Sequence, residues 1–229
     1  MKSPNRDVSR WYPAIYEMRA LLNLTDEDYP DDVILSLIEV ESNGDPEARR
    51  TTRVTVREGS SEEAAFREAV VGTVSRIPHE DDSEVMLLKG RVPSQFCGLL
   101  QMGRPAGIDV GFKRAGFRGW DTTADLMGNG RLAIQKMLEY QERYRSRHVG
   151  SPDRIAALWK GGPGTASTIA ERLVAGDALD TAIGYAADEH GIPRLPEYVR
   201  RFRTARKAWR KWVAAQDAPP EVCEVNPSA

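Results

Sequence analysis

The chain has 229 residues, of which 41% are hydrophobic and 29% are charged, and this is enough apolar material for a packed core. The formal net charge of −2 at pH 7 excludes an overall field that would draw the protein to nucleic acid or to a membrane surface. No apolar run approaches the ~18 residues of a transmembrane helix. The two cysteines and three histidines lack the spacing of a disulfide framework or a metal site.

Residues 1–30 are predicted to form a helical region that precedes the main domain. Its first helix is expected over residues 13–24, because Pro13 suits the first turn of a helix. The segment before this helix lacks the apolar core of a signal peptide. We therefore expect synthesis in the cytoplasm and delivery by another route, such as packaging in a virion or loading into a secretion machine.

The most informative stretch is residues 33–48, which read VILSLIEVESNGDPEA. Four of its side chains recur at the spacing of one helical face: Ile34, Leu37, Ile38 and Glu41. Glu41 is therefore predicted to face the apolar interior, and Glu39 to lie near solvent. The turn-forming residues 43–46 should end the helix.

A carboxyl group at the inner end of a buried helix is poorly solvated, so the pKa of Glu41 is expected to rise. A glutamic acid that is protonated near neutral pH is what a general acid requires. The alternative interpretation of Glu41 is structural, as a helix cap or as the partner of an arginine. Two further motifs favour the catalytic interpretation.

Glu41-Ser42 is followed by Asp45-Pro46-x-Ala48 and then by the GLLQ element at residues 98–101. This order resembles the soluble lytic transglycosylases, a family with a lysozyme-like fold. That family also has an Ala-Tyr-Asn-Ala-Gly-Pro-Gly element, and ALWKGGPG stands in the corresponding place at residues 157–164. The resemblance covers residues 31–168. It implies a mainly α, lysozyme-like catalytic domain over residues 31–175 and a helical extension over residues 176–216.

The resemblance implies a glycosidase of the lyase type that cleaves the β-1,4 bond between N-acetylmuramic acid and N-acetylglucosamine in peptidoglycan. The product would be a 1,6-anhydro sugar, and neither a cofactor nor a metal is implied. Glu41 would be the catalytic residue, acting first as acid and then as base. The substrate-binding residues would be Ser42, Ser94, Gln101, Met102, Asn129 and Trp159.

The pair Trp159-Lys160 departs from the Tyr-Asn of that family. An indole N–H donates hydrogen bonds but cannot accept them. Trp159 would therefore either replace the tyrosine as a donor near Glu41 or stack against a sugar ring as a wall of the cleft. The sequence offers no role for Lys160.

Residues 49–92 form an insertion, because the family joins its turn to the Gly-Leu-Met-Gln element through a short loop. Within it we predict a strand over residues 51–57, a helix over residues 60–74 and a short apolar run at residues 85–88. The insertion is expected beside the cleft, as a substrate lid or a docking surface for partner proteins. It could equally only cover part of the core.

Further helices are predicted over residues 105–117, 124–147, 155–159, 166–174, 177–190 and 195–216, with the Gly and Pro residues at 161–164 breaking the chain between two of them. The last helix holds seven basic residues between positions 200 and 211. It would contact an anionic surface or an acidic partner, or it would present the solvated face of a docked helix. A flexible tail is predicted over residues 217–229.

The expected partners are peptidoglycan glycan strands and the proteins of a virion or secretion machine, and nucleic acid is not expected. The protein would be built into a phage particle, in its tail, and would open the cell wall locally from the periplasm during phage entry. Two alternatives remain open. One is a lysozyme-type hydrolase on the same fold, and the other is a structural virion component with a weak or vestigial transglycosylase module.

Overall fold

A computed structural model describes residues 4–102, 104–111 and 129–216, with the side chains of residues 49, 50, 93–95, 97, 104 and 105 outside the description. The predicted tail at residues 217–229 lies outside the described residues. The chain is mainly helical with one small sheet, so the predicted mainly α class is confirmed. Among the described helices, none combines the length and apolar character needed to cross a membrane.

The elements in chain order are α1 (Arg6–Ser9), α2 (Tyr12–Leu21), α3 (Asp31–Ser42), β1 (Arg49–Arg57), α4 (Glu63–Ala69), β2 (Ser75–Pro78), β3 (Met86–Cys97), α5 (Arg104–Asp109), α6 (Gly130–Arg143), α7 (Arg145–His148), α8 (Pro152–Val174), α9 (Leu179–Glu189) and α10 (Leu195–Val213).

Helix α3 lies at the centre of the molecule because aliphatic residues occupy nearly its whole circumference. Leu35, Leu37 and Ile38 are fully buried. The last helix, α10, packs along one side of α3, and α1 and α2 contact it as well. Buried residues from α1, α2, α3, α6, α8, α9 and α10 form one continuous core. The carboxyl-terminal helix is therefore part of the same core as α3.

The packing of α10 corrects one expectation about α3. Glu39 was expected near solvent, but it is half-buried, and its carboxylate accepts a hydrogen bond from the indole Nε1 of Trp209. Trp209 belongs to the inner face of α10 and is fully buried. The flank of α3 that the helical period assigns to solvent is thus covered by the last helix.

The insertion forms a three-stranded antiparallel sheet in the order β1–β3–β2. Its inner face has a small core of its own with α4, formed by Val56, Phe66, Ala69, Leu88 and Val92. The strand predicted at residues 51–57 is present within β1. The helix predicted over residues 60–74 is wrong beyond Glu63–Ala69, because Val70 is extended and the N–H of Val71 donates to the carbonyl of Arg91 in β3. The apolar run at residues 85–88 is the start of the much longer β3.

Residues 155–159 and 166–174 of α8 lie on either side of Gly162, whose φ of 82° and ψ of −178° are not helical, so the predicted break between two helices is confirmed. Two other helix predictions need correction. In the helix predicted over residues 124–147, residues 124–128 lie outside the described part of the chain, and the rest forms two helices, α6 from Gly130 and then α7. The helix predicted over residues 105–117 ends at Asp109, and residues 112–117 lie outside the described part of the chain.

Candidate active site

Glu41 lies in the last turn of α3, at a sharply defined helix end. Asn43 adopts the left-handed conformation with φ of 59°, and Gly44 follows with φ of 89°. The carbonyl oxygen of Gly44 accepts hydrogen bonds from Arg10 Nη2 at 2.9 Å and from Trp11 Nε1 at 3.0 Å. The amino-terminal segment therefore fixes the turn that follows Glu41.

The carboxyl group of Glu41 is buried, with 8% of the residue exposed, and the phenol of Tyr198 donates a hydrogen bond to its Oε1 at 2.7 Å. Tyr198 lies on the inner face of α10. The ammonium group of Lys160 lies 5.2 Å from the ring centroid of Tyr198, which gives Lys160 a cation–π contact beside the site. Sequence reasoning missed Tyr198, since no local pattern connects it to Glu41.

Gln101 is fixed beside Glu41 by the backbone at both ends of the insertion. Its Nε2 donates to the carbonyl of Ala48 at 2.7 Å and to that of Gly98 at 3.0 Å. The backbone N–H of Gly98 also donates to Ala48 at 3.0 Å. Gln101 itself has φ of 48°, which is unusual for a residue other than glycine. Its Oε1 is buried and has no hydrogen-bond partner among the described residues.

Two cavities share Glu41 and Gln101 as lining residues. The larger, of about 870 Å³, runs between the end of α3 with its following turn and the exposed face of α10. The smaller, of about 350 Å³, is lined by aromatic side chains and by the kink of α8, including Phe96, Tyr140 and Trp159. Glu41 and Gln101 thus lie between a polar compartment and an aromatic one.

Trp159 is a wall of the smaller cavity. Its indole Nε1 donates to the carbonyl of Leu100 at 3.2 Å, and its ring meets that of Tyr140 edge to face at 5.7 Å. The indole N–H is therefore directed to the GLLQ element, and the hydroxyl donor to Glu41 comes from Tyr198. Burial raises the pKa of the Tyr140 phenol, so this hydroxyl is neutral.

The other predicted substrate-binding residues are dispersed. Ser42 lines the larger cavity, but its hydroxyl donates to the carbonyl of Ile38 and accepts from the N–H of Gly44, so it caps the helix end. Met102 is buried in a cluster with Tyr140. Asn129 caps α6, where it accepts from the N–H of Leu132. Ser94 lies in β3, and its side chain is outside the description.

Two more carboxylates line the larger cavity, Glu39 and Asp45. Glu39 is held by Trp209, and Asp45 accepts the backbone N–H of Glu47 at 2.9 Å. Within the described ranges, no group of three or more His, Cys, Asp or Glu side chains is arranged to hold a metal ion. The chemistry that the site offers is proton transfer by a buried carboxyl group beside amide and aromatic binding surfaces.

No protein-family model, curated protein or solved structure matches the chain. The function is therefore argued from this geometry and from the sequence motifs.

Proposed function

We propose that the protein is a peptidoglycan lytic transglycosylase with a lysozyme-like fold, in which Glu41 is the catalytic acid and base. The observation that carries the proposal is the position of Glu41, a buried carboxyl group bound by Tyr198 between two cavities that also share Gln101. The three motifs of the resemblance supply Glu41, Gln101 and Trp159, and these side chains meet in the smaller cavity, while Glu41 and Gln101 also line the larger one. A glycan strand would run through both cavities, with the bond to be cut at Glu41.

In the first step, Glu41 gives its proton to the glycosidic oxygen, and the bond from that oxygen to C1 of N-acetylmuramic acid breaks. The acetamido oxygen of the same sugar forms a bond to C1. In the second step, the Glu41 carboxylate takes the proton of the C6 hydroxyl, and O6 displaces the acetamido oxygen from C1. Glu41 ends protonated, as it began, and no water is consumed. Tyr198 stabilises the carboxylate between the steps because its O–H donates to Oε1.

This scheme uses one carboxyl group, whereas most glycosidases use two. Glu39 is the nearest in sequence, but its carboxylate is bound by the indole of Trp209. Asp45 lies on the exposed turn after α3. Assistance by the substrate acetamido group makes a second protein carboxylate unnecessary, and enzymes of this kind are known exceptions to the two-carboxylate scheme.

The two cavities would bind different parts of the strand. The buried Oε1 of Gln101 is an acceptor for the acetamido N–H of a sugar, since its own amide N–H groups are taken up by Ala48 and Gly98. The aromatic faces of Phe96 and Trp159 suit the apolar faces of pyranose rings.

The cellular setting is proposed from the sequence. We propose that the protein is built into a phage virion, associated with its tail, and acts on the cell wall in the periplasm, where it opens the wall locally during entry. Delivery by a secretion machine would serve the same chemistry. The glycan strands and the proteins of that assembly would be its partners.

Mass spectrometry of muropeptides released from purified peptidoglycan tests the proposal, with Glu41→Gln as the matched variant. We expect products one water lighter than reducing-end muropeptides, and a loss of about 10²–10⁴-fold or more in the variant. Reducing-end products would instead identify a lysozyme-type hydrolase. Near-normal cleavage by Glu41→Gln would remove Glu41 from the mechanism. No cleavage by the folded wild-type protein would favour a structural virion component.

A further inference from the structure

Two pairs of basic residues on α10, Arg203 with Arg206 and Arg200 with Arg201, have different surroundings. Arg203 forms ion pairs with Asp153 and Asp180, and Arg206 forms one with Asp32. Arg200 and Arg201 are exposed, and the described residues contain no carboxylate that pairs with either. The first pair holds the helix to its neighbours, whereas the second pair is available to a ligand.

The larger cavity, which Glu41 lines, is bounded on its α10 side by Arg200, Arg201, Thr204 and Ala208. The opposite wall, formed by the end of α3 and its turn, holds Glu39 and Asp45. Cations therefore stand on one wall of the cavity and anions on the other. A ligand that passes Glu41 would meet two guanidinium groups on the α10 side only.

The carboxylates nearest to the two arginines do not neutralise them. The only acidic residue of α10 is Glu197, three positions before Arg200 and four before Arg201, and no ion pair joins it to either arginine among the described residues. On the opposite wall, Glu39 accepts from Trp209 and Asp45 accepts from the N–H of Glu47. The two guanidinium charges at the cavity therefore favour an anionic ligand.

We propose that Arg200 and Arg201 bind free carboxylates of the peptide substituents on the glycan strand, so that the enzyme prefers peptide-bearing glycan to glycan without peptides. The proposal rests on the proposed function. The sugar hydroxyls and acetamido groups are uncharged, so within this polymer the ionised acceptors belong to the peptides. A guanidinium group binds a carboxylate through two parallel hydrogen bonds, which suits Arg better than Lys for this task.

The position of the two arginines favours this ligand over an independent anionic partner. Arg200 and Arg201 share the cavity with Glu41, so an anionic group carried by the strand at Glu41 would lie within the same cavity as both guanidinium groups. Lys207 and Lys211 lie outside that cavity, farther along the same helix, where they line a separate cavity of about 490 Å³. They provide a matched pair of charges on α10 that the proposal does not use.

The test compares two double variants, Arg200→Gln with Arg201→Gln and Lys207→Gln with Lys211→Gln. Each is assayed on intact peptidoglycan and on the same glycan after an amidase has removed the peptides and carbodiimide coupling to methylamine has neutralised the lactyl carboxylates that the amidase frees. We expect the arginine variant to lose about tenfold or more in kcat/KM on the peptide-bearing substrate, mainly through KM. Its activity on peptide-free glycan should equal that of the wild-type protein, and the lysine variant should match the wild-type protein on both substrates. Circular dichroism and thermal unfolding check that both variants are folded.

An equal loss on both substrates, no loss at all, or the same loss in the lysine variant would overturn the proposal. Co-sedimentation of the full chain with beads that carry immobilised peptide-bearing or peptide-free glycan strands separates this proposal from the proposed function. If the wild-type protein cleaves neither substrate, preferential sedimentation with peptide-bearing glycan that depends on the two arginines would still support the binding site. Equal sedimentation with both glycans would refute it.

Discussion

The phenolic oxygen of Tyr198 lies 2.7 Å from Oε1 of Glu41, and the two residues are 157 positions apart in the chain. The hydrogen bond joins the last helix to the end of α3, between the two cavities of the site. It fixes the orientation of the carboxyl group, and in the proposed reaction it supplies a hydrogen-bond donor to the carboxylate that forms after the first step.

Replacing Tyr198 with Phe should reduce kcat by about 10- to 100-fold and leave KM nearly unchanged, because a hydrogen bond to a charged group is removed while the ring remains. Steady-state kinetics on purified peptidoglycan measures the effect. Tyr185→Phe is the matched control, since Tyr185 is exposed on α9 and away from the lining of both cavities. A lower kcat in both variants would show that the effect is not specific to the contact with Glu41.

Gly44→Ala should destabilise the fold more than Gly59→Ala. Both glycines have positive φ, 89° and 78°, so both substitutions strain the backbone. Only at Gly44 would the new Cβ meet other atoms, 2.6 Å from the carbonyl carbon of Asp7, whereas nothing lies within 4 Å at Gly59. We expect about 1–3 kcal/mol of additional loss in the free energy of unfolding for Gly44→Ala, measured by urea denaturation. Equal losses would mean that α1 does not press on the turn after Glu41.

Glu39→Gln and Asp45→Asn should each retain activity within about tenfold of the wild-type protein, in contrast to Glu41→Gln. A glutamine at position 39 still accepts the hydrogen bond from Trp209, so the packing of α10 is kept. The measurement is the rate of 1,6-anhydro product formation. A loss in either variant as large as that of Glu41→Gln would indicate a two-carboxylate mechanism and would contradict assistance by the substrate.

The stability of the protein should fall in mild acid because of His148. Its Nδ1 accepts the N–H of Gly150, and its Nε2 lies 3.1 Å from the carbonyl oxygen of Gln141, which together fit a neutral ring protonated at Nε2. Burial lowers the pKa of His148. Below pH ~6.5, His148 therefore binds a proton in the unfolded chain more readily than it does in the folded chain. The contribution to stability is present above that pH and is lost as the pH falls through the folded-state pKa.

Urea denaturation at pH 7.5 and 5.5 checks this expectation, with His148→Gln as the comparison. The wild-type protein should lose more of its free energy of unfolding between the two pH values than the variant does. The two proteins would show the same difference if His148 did not contribute.

The sequence predicts α3 well because the residues that determine this helix lie within it and directly after it. A continuous aliphatic period followed by Asn43 and Gly44 determines both the helix and its end, and these place Glu41 at the inner surface. The break within α8 was predicted for the same local reason, since Gly162 and Pro163 are strong breakers. A second helix follows Gly162, and it buries Thr165 and Ile169 in the interior.

Contacts between residues that are distant in the chain could not be predicted from the sequence. The length of β3 depends on its pairing with β1 and β2, and residues such as Lys89 and Gly90 carry no strand signal of their own. Tyr198 and Trp209 look like ordinary residues of an amphipathic helix until α10 is placed against α3. The contact of Tyr198 with Glu41 and the burial of Glu39 result from that packing alone. The spacing of residues within either helix does not predict them.

The packing of α10 against α3 also has a consequence for biosynthesis. A chain is made from its amino terminus, so α3 leaves the ribosome long before the helix that covers it. Until then, the aliphatic flank that holds Leu35 and Val40 has no partner from α10, and the nascent chain needs protection from aggregation. The same order delays the hydrogen bond between Tyr198 and Glu41 until α10 has been made. Fragments released early would therefore keep the carboxyl group but lack the hydroxyl that orients it.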